Sequence, residues 1–408
     1  MDSMETSPDN LRQDKISARI LAWRERLEQA KENQLYFFNQ PIDELRGGAR
    51  VLVNGQEMQM FASYSYLGLI GHPKINAAAK AAIDKYGSGT HGVRMLAGTL
   101  RIHVELEETI ARFKGTESAI TFSSGYMTNV TAISTMLFRE DVVLSDKLNH
   151  ASIVDGCMLS AAGFLRFRHN DMADLEFCLQ RVNPEATKLV VVDAVFSMDG
   201  DVINLPKVVE LCRKYGAWLM VDEAHSLGVL GEKGHGIEEH FGLDNVIDVK
   251  MGTLSKTIPS AGGYLAGKKD LIEMFRHSAR PFVFSAAITP AQAGAAKAAF
   301  EVIEEEPERV VALNENTERF IKGFKQLGFD TMQTSTAIVP VLCGADESAY
   351  EMVKCCQRED VFVLPIVSPA VPDGLARLRA TVTAAHTHED IDRGLSIFER
   401  AGKKVGII

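Results

Sequence analysis

An excess of positive charge is missing from this 408-residue chain: 44 lysines and arginines face 54 aspartates and glutamates, a net charge of −10. A nucleic-acid binder ordinarily carries a basic stripe, so that class is disfavoured, although a small anion needs only a few local donors. Cysteine is sparse. Cys157, Cys178, Cys212, Cys343, Cys355 and Cys356 are scattered apart from one adjacent pair, which suits neither a disulfide framework nor a zinc-ribbon spacing. Reduced thiols in a cytoplasmic protein, with no metal, are the simplest expectation. No apolar run reaches the length of a transmembrane helix, and Met1 to Asn10 is polar and acidic, unlike a secretory signal. Internal repeats and low-complexity tracts are also lacking. What remains is 46% apolar and 24% charged, an ordinary globular composition, on a chain long enough for two domains.

After an opening expected to be disordered, Leu11 to Glu32 reads as a charged amphipathic helix with Leu11, Ile16, Ile20, Trp23 and Leu27 near helical spacing. Arg50 to Phe61 alternates like a short hairpin turning at Asn54-Gly55. This opening is an arm that needs something to pack on. From Lys74 to Gly267 the chain alternates strands and helices. Ser118-Phe122, Val142-Ser145, Leu189-Asp193, Trp218-Asp222, Val246-Met251 and Gly263-Ala266 are short β-rich runs, separated in several places by helical stretches such as Asn129-Phe138 and Leu205-Tyr215. That rhythm predicts an α/β fold with a mostly parallel sheet covered on both faces. Ala291 to Leu327 reads as two helices parted by Pro307. Strands at Ala337-Leu342, Val361-Leu364 and Leu378-Val382, with helices near Glu347-Arg358 and Glu389-Ala401, then suggest a smaller α+β domain. The expected division is an arm at 1–60, a large domain at 61–295 and a small one at 296–408.

Open α/β sheets bind ligands at the carboxyl ends of their strands, so strand ends that finish in polar residues carry the most information. Ser124-Gly125-Tyr126 follows one strand and opens a helix, where free backbone N–H groups make a phosphate cradle; a plain helix cap explains the same residues. His150 follows another strand and could lie flat on an aromatic ring, or serve only the structure. Val221-Asp222-Glu223-Ala224-His225 ends an apolar strand in charge, which is costly unless paired. Asp222 there suits a cationic ring nitrogen, and equally a turn cap. Gly252-Thr253-Leu254-Ser255-Lys256-Thr257 is not a P-loop, because Lys250 and Ser255 stand where that motif requires glycine. A lysine between hydroxyl residues on a post-strand loop fits a Schiff-base amine, against the alternative of a solvated surface lysine. Four such ends on one sheet are better explained together than singly.

These residues resemble the fold-type I pyridoxal-phosphate (PLP) enzymes, and more narrowly the α-oxoamine synthases, on the side of the serine palmitoyltransferase branch. The resemblance runs from about Phe61 to the C-terminal helix. It rests on Tyr66-Leu67-Gly68-Leu69, Gly92-Val93-Arg94 with Gly98-Thr99, and Asn149-His150-Ala151-Ser152. It continues through Phe196-Ser197-Met198-Asp199-Gly200, Asp222-Glu223-Ala224-His225 and Gly252-Thr253-Leu254-Ser255-Lys256, and closes on Arg377-Leu378-Arg379 with Thr383-Ala384-Ala385-His386. It implies that Lys256 carries the cofactor, His150 stacks on its ring, Asp222 pairs with the ring nitrogen, and Ser197 and His225 hold the ring hydroxyl. Ser124, Gly125, Tyr126, Thr253 and Ser255 would surround the phosphate, which Ser285 would reach from the partner subunit of a homodimer. Arg379 would bind the amino-acid carboxylate, with His150 and Ser65 also beside the substrate.

The chain departs from the family pattern at Ser65, where asparagine is common, and at Thr257-Ile258-Pro259-Ser260, which is not glycine-rich. Both bear on substrate identity. The implied reaction condenses serine, alanine or glycine with an acyl thioester, a long chain favoured, carried by CoA or by an acyl carrier protein. It releases carbon dioxide and thiol and leaves an α-amino ketone. The rival readings are a fold-type I aminotransferase and a catalytically silent partner subunit, the second opposed by the presence of Lys256.

Overall fold

The computed structural model describes residues 14–408, so Met1 to Asn10 and Leu11 lie outside the described residues. A helix begins at Lys15 because Asp14 caps it, its carboxylate accepting from Ile16 N and Ser17 N at 2.8 Å. It runs to Glu32, and its Ile16, Ile20 and Trp23 side chains are exposed in the single chain.

Seven strands form the central sheet, in the order Ser118–Phe122, Gly263–Gly267, Val249–Thr253, Trp218–Asp222, Lys188–Asp193, Val142–Asp146, Gly163–Phe167. All neighbours are parallel except Gly263–Gly267, which is antiparallel to both of its partners. Along Lys188–Asp193, Leu189 and Val191 enter one apolar cluster and Val190 and Val192 another. The period of two thus buries both faces beneath helices, as a parallel sheet requires. Register matters most for the site: Asp193 sits opposite Asp222, and Asp222 opposite Met251. Neighbouring strands therefore finish level along one edge of the sheet.

The hairpin expected at Arg50 to Phe61 is present, with Arg50–Val53 antiparallel to Gln56–Met60. Asn54 and Gly55 both take positive φ, 51° and 77°, as a tight two-residue turn demands. Its second strand pairs in parallel with Val361–Phe362, so the arm is built into structure contributed by the distant C-terminal part. Helices Pro290–Glu305 and Glu308–Leu327 flank Pro307. A three-stranded sheet of Ile338–Gly344, Ala376–Thr381 and Pro365–Ile366, with helices Asp346–Arg358 and His388–Val405, follows the expected α+β plan. Among the described residues no helix is long and apolar enough to cross a membrane, and no cluster of side chains has metal-ligand geometry.

Candidate active site

Ten of the residues singled out by sequence converge on one cavity of about 280 Å³: Ser124, Gly125, Tyr126, His150, Ser197, Asp222, His225, Thr253, Ser255 and Lys256. Level strand ends bring them together. Helix Gly125–Met136 starts at the lip, with Ser124 Oγ accepting from Met127 N at 3.2 Å. The first-turn N–H groups of such a helix have no intrahelical acceptor and favour an anion. Glycine is required at 125, because a Cβ there would lie 2.9 Å from Thr253 Oγ1. Thr253 Oγ1 and Ser255 Oγ are 2.9 Å apart across the same lip. Tyr126 turns its hydroxyl away to donate to Asp155.

On the floor, Asp222 is 5% exposed. Its oxygens accept from Ala224 N at 2.8 Å and Asn129 Nδ2 at 2.7 Å. Among the described residues it has no ion-pair partner, although a buried unpaired carboxylate is costly. Asp193 lies beside it and receives His150 N at 3.0 Å; burial, reinforced by the charge of Asp222, pushes the Asp193 carboxyl well above the usual range. His150 Nδ1 and Ser152 Oγ are 2.7 Å apart, and Asn129 Nδ2 also donates to Ser152 Oγ at 2.9 Å. One asparagine thereby fixes both the acid and the imidazole.

Lys256 closes the cavity from the other side, its Nζ 2.7 Å from His225 Nε2. Burial lowers its pKa to about 8, with Asp222 opposing the shift and Arg379 adding to it. Burial, then the charges of Lys256 and Arg379, hold His225 well below the ordinary imidazole range, hence neutral. Its Nδ1 is 2.6 Å from Tyr66 Oη, to which Arg379 Nη2 donates at 3.4 Å. The Tyr64 ring lies under both cations, 5.7 Å from Lys256 Nζ and 4.6 Å from the Arg379 guanidinium carbon.

Arg379 does not line the 280 Å³ cavity itself but stands behind Tyr66. It is 5% exposed, and its donors meet only neutral groups, Ser197 O at 2.6 Å and Thr381 Oγ1 at 3.1 Å besides Tyr66. Arg377, two residues earlier, is paired with Asp199 at 2.7 Å. Among the described residues Arg379 has no carboxylate partner. Ser65 accepts from Leu69 N and Ile70 N at 3.1 and 3.4 Å, turning the chain. It borders a second cavity, which also touches Lys256 and Ser255. Ser285 ends helix Arg280–Phe284 and does not line the 280 Å³ cavity of its own chain.

Sequence reading missed several participants. Asn129 is a buried amide inside a helix, an unusual placement that was a usable signal. Tyr66 stood in a family marker but without a role, and Tyr64 gave no signal, because their roles depend on contacts with residues far along the chain. A fourth is His169, between Asp146 Oδ1 at 3.1 Å and Asp201 Oδ2 at 2.9 Å. It ties the strand end Val142–Asp146 to the turn bearing Ser197, since Phe196 N donates to Asp201 O at 3.1 Å. Burial opposes its charge, but the hydrogen bonds and charges of the two carboxylates override that and raise it to about 10.

The donor set fits PLP. A helix N-terminus with two hydroxyls suits a phosphate, a lone buried carboxylate suits a protonated ring nitrogen, and a lysine near 8 suits an aldehyde. Fold and site together define a fold-type I PLP enzyme. The sequence pattern of the family "Aminotransferase class I and II" matches residues 57–398. The chain is 44% identical to the 8-amino-7-oxononanoate synthase of Thermoanaerobacter pseudethanolicus, across 94% of this chain and 98% of that one. It is 41% identical to the serine palmitoyltransferase of Sphingobacterium spiritivorum, across 93% and 95%. The solved serine palmitoyltransferase of S. paucimobilis with PLP and myriocin superposes with a TM-score of 0.93 at 34% identity, covering 97% of this chain and all of that one. The chain belongs to this aminotransferase family and, within it, to the α-oxoamine synthases, which are PLP-dependent acyltransferases.

Proposed function

We propose that this protein condenses a small α-amino acid (serine, alanine or glycine) with an acyl thioester, releasing carbon dioxide and free thiol and forming an α-amino ketone. One observation carries the reading. Two buried, opposite charges that have no ion-pair partner among the described residues, Asp222 and Arg379, flank the amine of Lys256. A substrate complex that brings one cation to the first and one carboxylate to the second satisfies both.

When bound, PLP supplies an electron sink for charge at the amino acid's α-carbon. Lys256 would attach it, Asp222 would keep its ring nitrogen protonated, and His150 would lie on the ring. Ser197 and His225 would hold the ring hydroxyl. The phosphate would rest on the helix end at Ser124, Gly125 and Tyr126, with Thr253 and Ser255. Arg379, released from Tyr66, would hold the substrate carboxylate by paired charged hydrogen bonds. Lys256 as a neutral amine takes the α-proton, which its low pKa allows near neutrality. Bond formation from the α-carbon to the thioester carbonyl expels the thiol, and the carboxylate leaves as carbon dioxide. Ser285 would complete the phosphate site of a second copy in a homodimer, and we place the large domain at 61–295 and the small one at 296–408.

The test is direct. Each amino acid is mixed with CoA and carrier-protein thioesters, and thiol and carbon dioxide are measured. Wild type should release both, while Lys256→Ala should release neither. Amino transfer to a keto acid without thiol would establish the aminotransferase alternative. Full activity in Lys256→Ala would refute the assignment.

A further inference from the structure

A third cavity, of about 530 Å³, lies between the N-terminal hairpin and the C-terminal strands. Its walls are mostly aliphatic and aromatic: Ile42, Leu45, Val51, Met60, Phe362 and Leu364. Leu45 is 50% and Ile42 49% exposed, so apolar surface stays open to solvent where several such groups meet. Exposed apolar groups gathered in one place mark a ligand groove or a protein interface.

Position identifies the occupant. The apolar cavity shares Leu45, Ser63, Tyr64, Ser65 and Ile70 with the neighbouring cavity that Lys256 and Ser255 line. The two adjoin at these residues, beside the Tyr64 ring, which faces the Lys256 amine. A ligand whose reacting carbon lies at Lys256 can therefore extend its far end into the apolar walls.

Charge restricts what that end can be. Two cations border the pocket, Arg50 and Arg309. Arg50 pairs with Asp390 at 2.8 Å and faces Glu57 at 3.6 Å. Arg309 pairs with Glu306 at 2.6 Å and donates to Leu67 O at 3.3 Å. Each is already neutralised by a neighbour, so a carboxylate arriving on the end of a chain would meet none that is unmatched.

We propose that this pocket binds the tail of the acyl thioester, and that it selects an unbranched hydrocarbon chain with an uncharged end over a chain ending in carboxylate. The proposal rests on the condensation reading above and names the acyl class it uses. Each methylene buried should raise kcat/KM roughly fourfold until the pocket fills. A terminal carboxylate should lower it about 100-fold or more relative to a methyl-ended donor of equal length.

The experiment compares saturated acyl-CoA donors from acetyl to palmitoyl, together with an ω-carboxyhexanoyl donor, in wild type, Leu45→Glu and Ala62→Leu. Thiol release is followed, and binding of an unreactive S-alkyl-CoA thioether is measured by calorimetry. Leu45 is exposed, whereas Ala62 is half-buried against the small cluster of Val51, Met60 and Phe362, so a thermal melt first establishes that each variant is folded. Support is a rise with chain length, tenfold or greater loss for long donors in both variants, unchanged acetyl turnover, and thioether affinity falling in parallel. A flat chain-length profile, preference for the carboxylated donor, or equal loss for every donor overturns it. Absence of thiol from all donors sinks the condensation reading instead, and the thioether titration still decides the pocket: affinity rising with alkyl length and lost in both variants upholds it, and any other pattern rejects it.

Discussion

Replacing His169 with asparagine tests whether a charged imidazole outside the cavity holds the site in shape. The ring is clamped between Asp146 and Asp201, and Phe196 meets its edge, with ring centroids 4.3 Å apart. A rise from 6.5 to about 10 corresponds to roughly 5 kcal/mol favouring the folded, protonated form. The side chain is 26% exposed, and solvent screening reduces that to about 2–3 kcal/mol. Asp146 keeps hydrogen bonds from Leu148 N and Asn170 N, each at 2.8 Å, which limits the damage when the imidazole goes. For a chain of this size that predicts a melting temperature lower by about 2–4 °C near pH 6.5. Because the folded-state pKa is raised, the stabilisation is complete below 6.5 and fades as pH climbs to about 10. The gap between wild type and His169→Asn in pH-resolved thermal scans should therefore close over that window. The Ser197 turn should loosen with it, weakening the seat of Arg379 and raising KM for the amino acid more than it lowers kcat. A gap constant from pH 6 to 10, or one that widens, refutes the argument.

Three further outcomes are expected. Burial of Lys256 penalises its ammonium form, so reaction of the cofactor-free protein with an aldehyde should show a midpoint near pH 8; a midpoint above 10 would contradict the burial argument. Asn129→Leu removes the amide that holds both Asp222 and Ser152, and should cost about 1.5–3 kcal/mol of transition-state stabilisation, read as a 10- to 100-fold lower kcat/KM. Gly263→Ala would put a Cβ 2.4 Å from Thr128 Oγ1 and 2.8 Å from Gly125 Cα, pushing on the helix end proposed to seat the phosphate. PLP affinity should fall tenfold or more, consistent with an overpacking cost of about 1–3 kcal/mol, and unchanged affinity would count against that helix end as the phosphate seat.

Much of the fold was legible because the central strands are short, largely apolar and punctuated by polar ends. The hairpin was legible because Asn54-Gly55 is a local turn signal. Strand Gly163–Phe167 escaped notice since it is an edge strand with Gly163, Leu165 and Arg166 exposed, so neither face shows a buried period. The strand expected from Val246 begins at Val249, because Val246 N and Ile247 N are taken by the Glu238 carboxylate instead of a ladder. At the site, residue type singled out Lys256, Asp222 and His150 at strand ends, and the structure gathers all three around one cavity. Residue type alone does not separate Arg377 from Arg379; the family resemblance singles out Arg379, and in the structure it is Arg377 that pairs with Asp199. Tyr64, Tyr66 and His169 act through partners more than twenty residues away, and no local pattern announces such contacts.

The parallel pairing of Gln59 with Val361 and Met60 with Phe362 joins points about 300 residues apart. On a ribosome adding 5–20 residues per second, the first strand waits roughly 15–60 s before its mate emerges. Through that delay an unpaired edge, and Met58 and Met60 beside it, stand open to strangers. Newborn chains of this protein should therefore lean on a holding factor until synthesis is nearly done, and shortened chains ending before Val361 should clump instead of folding.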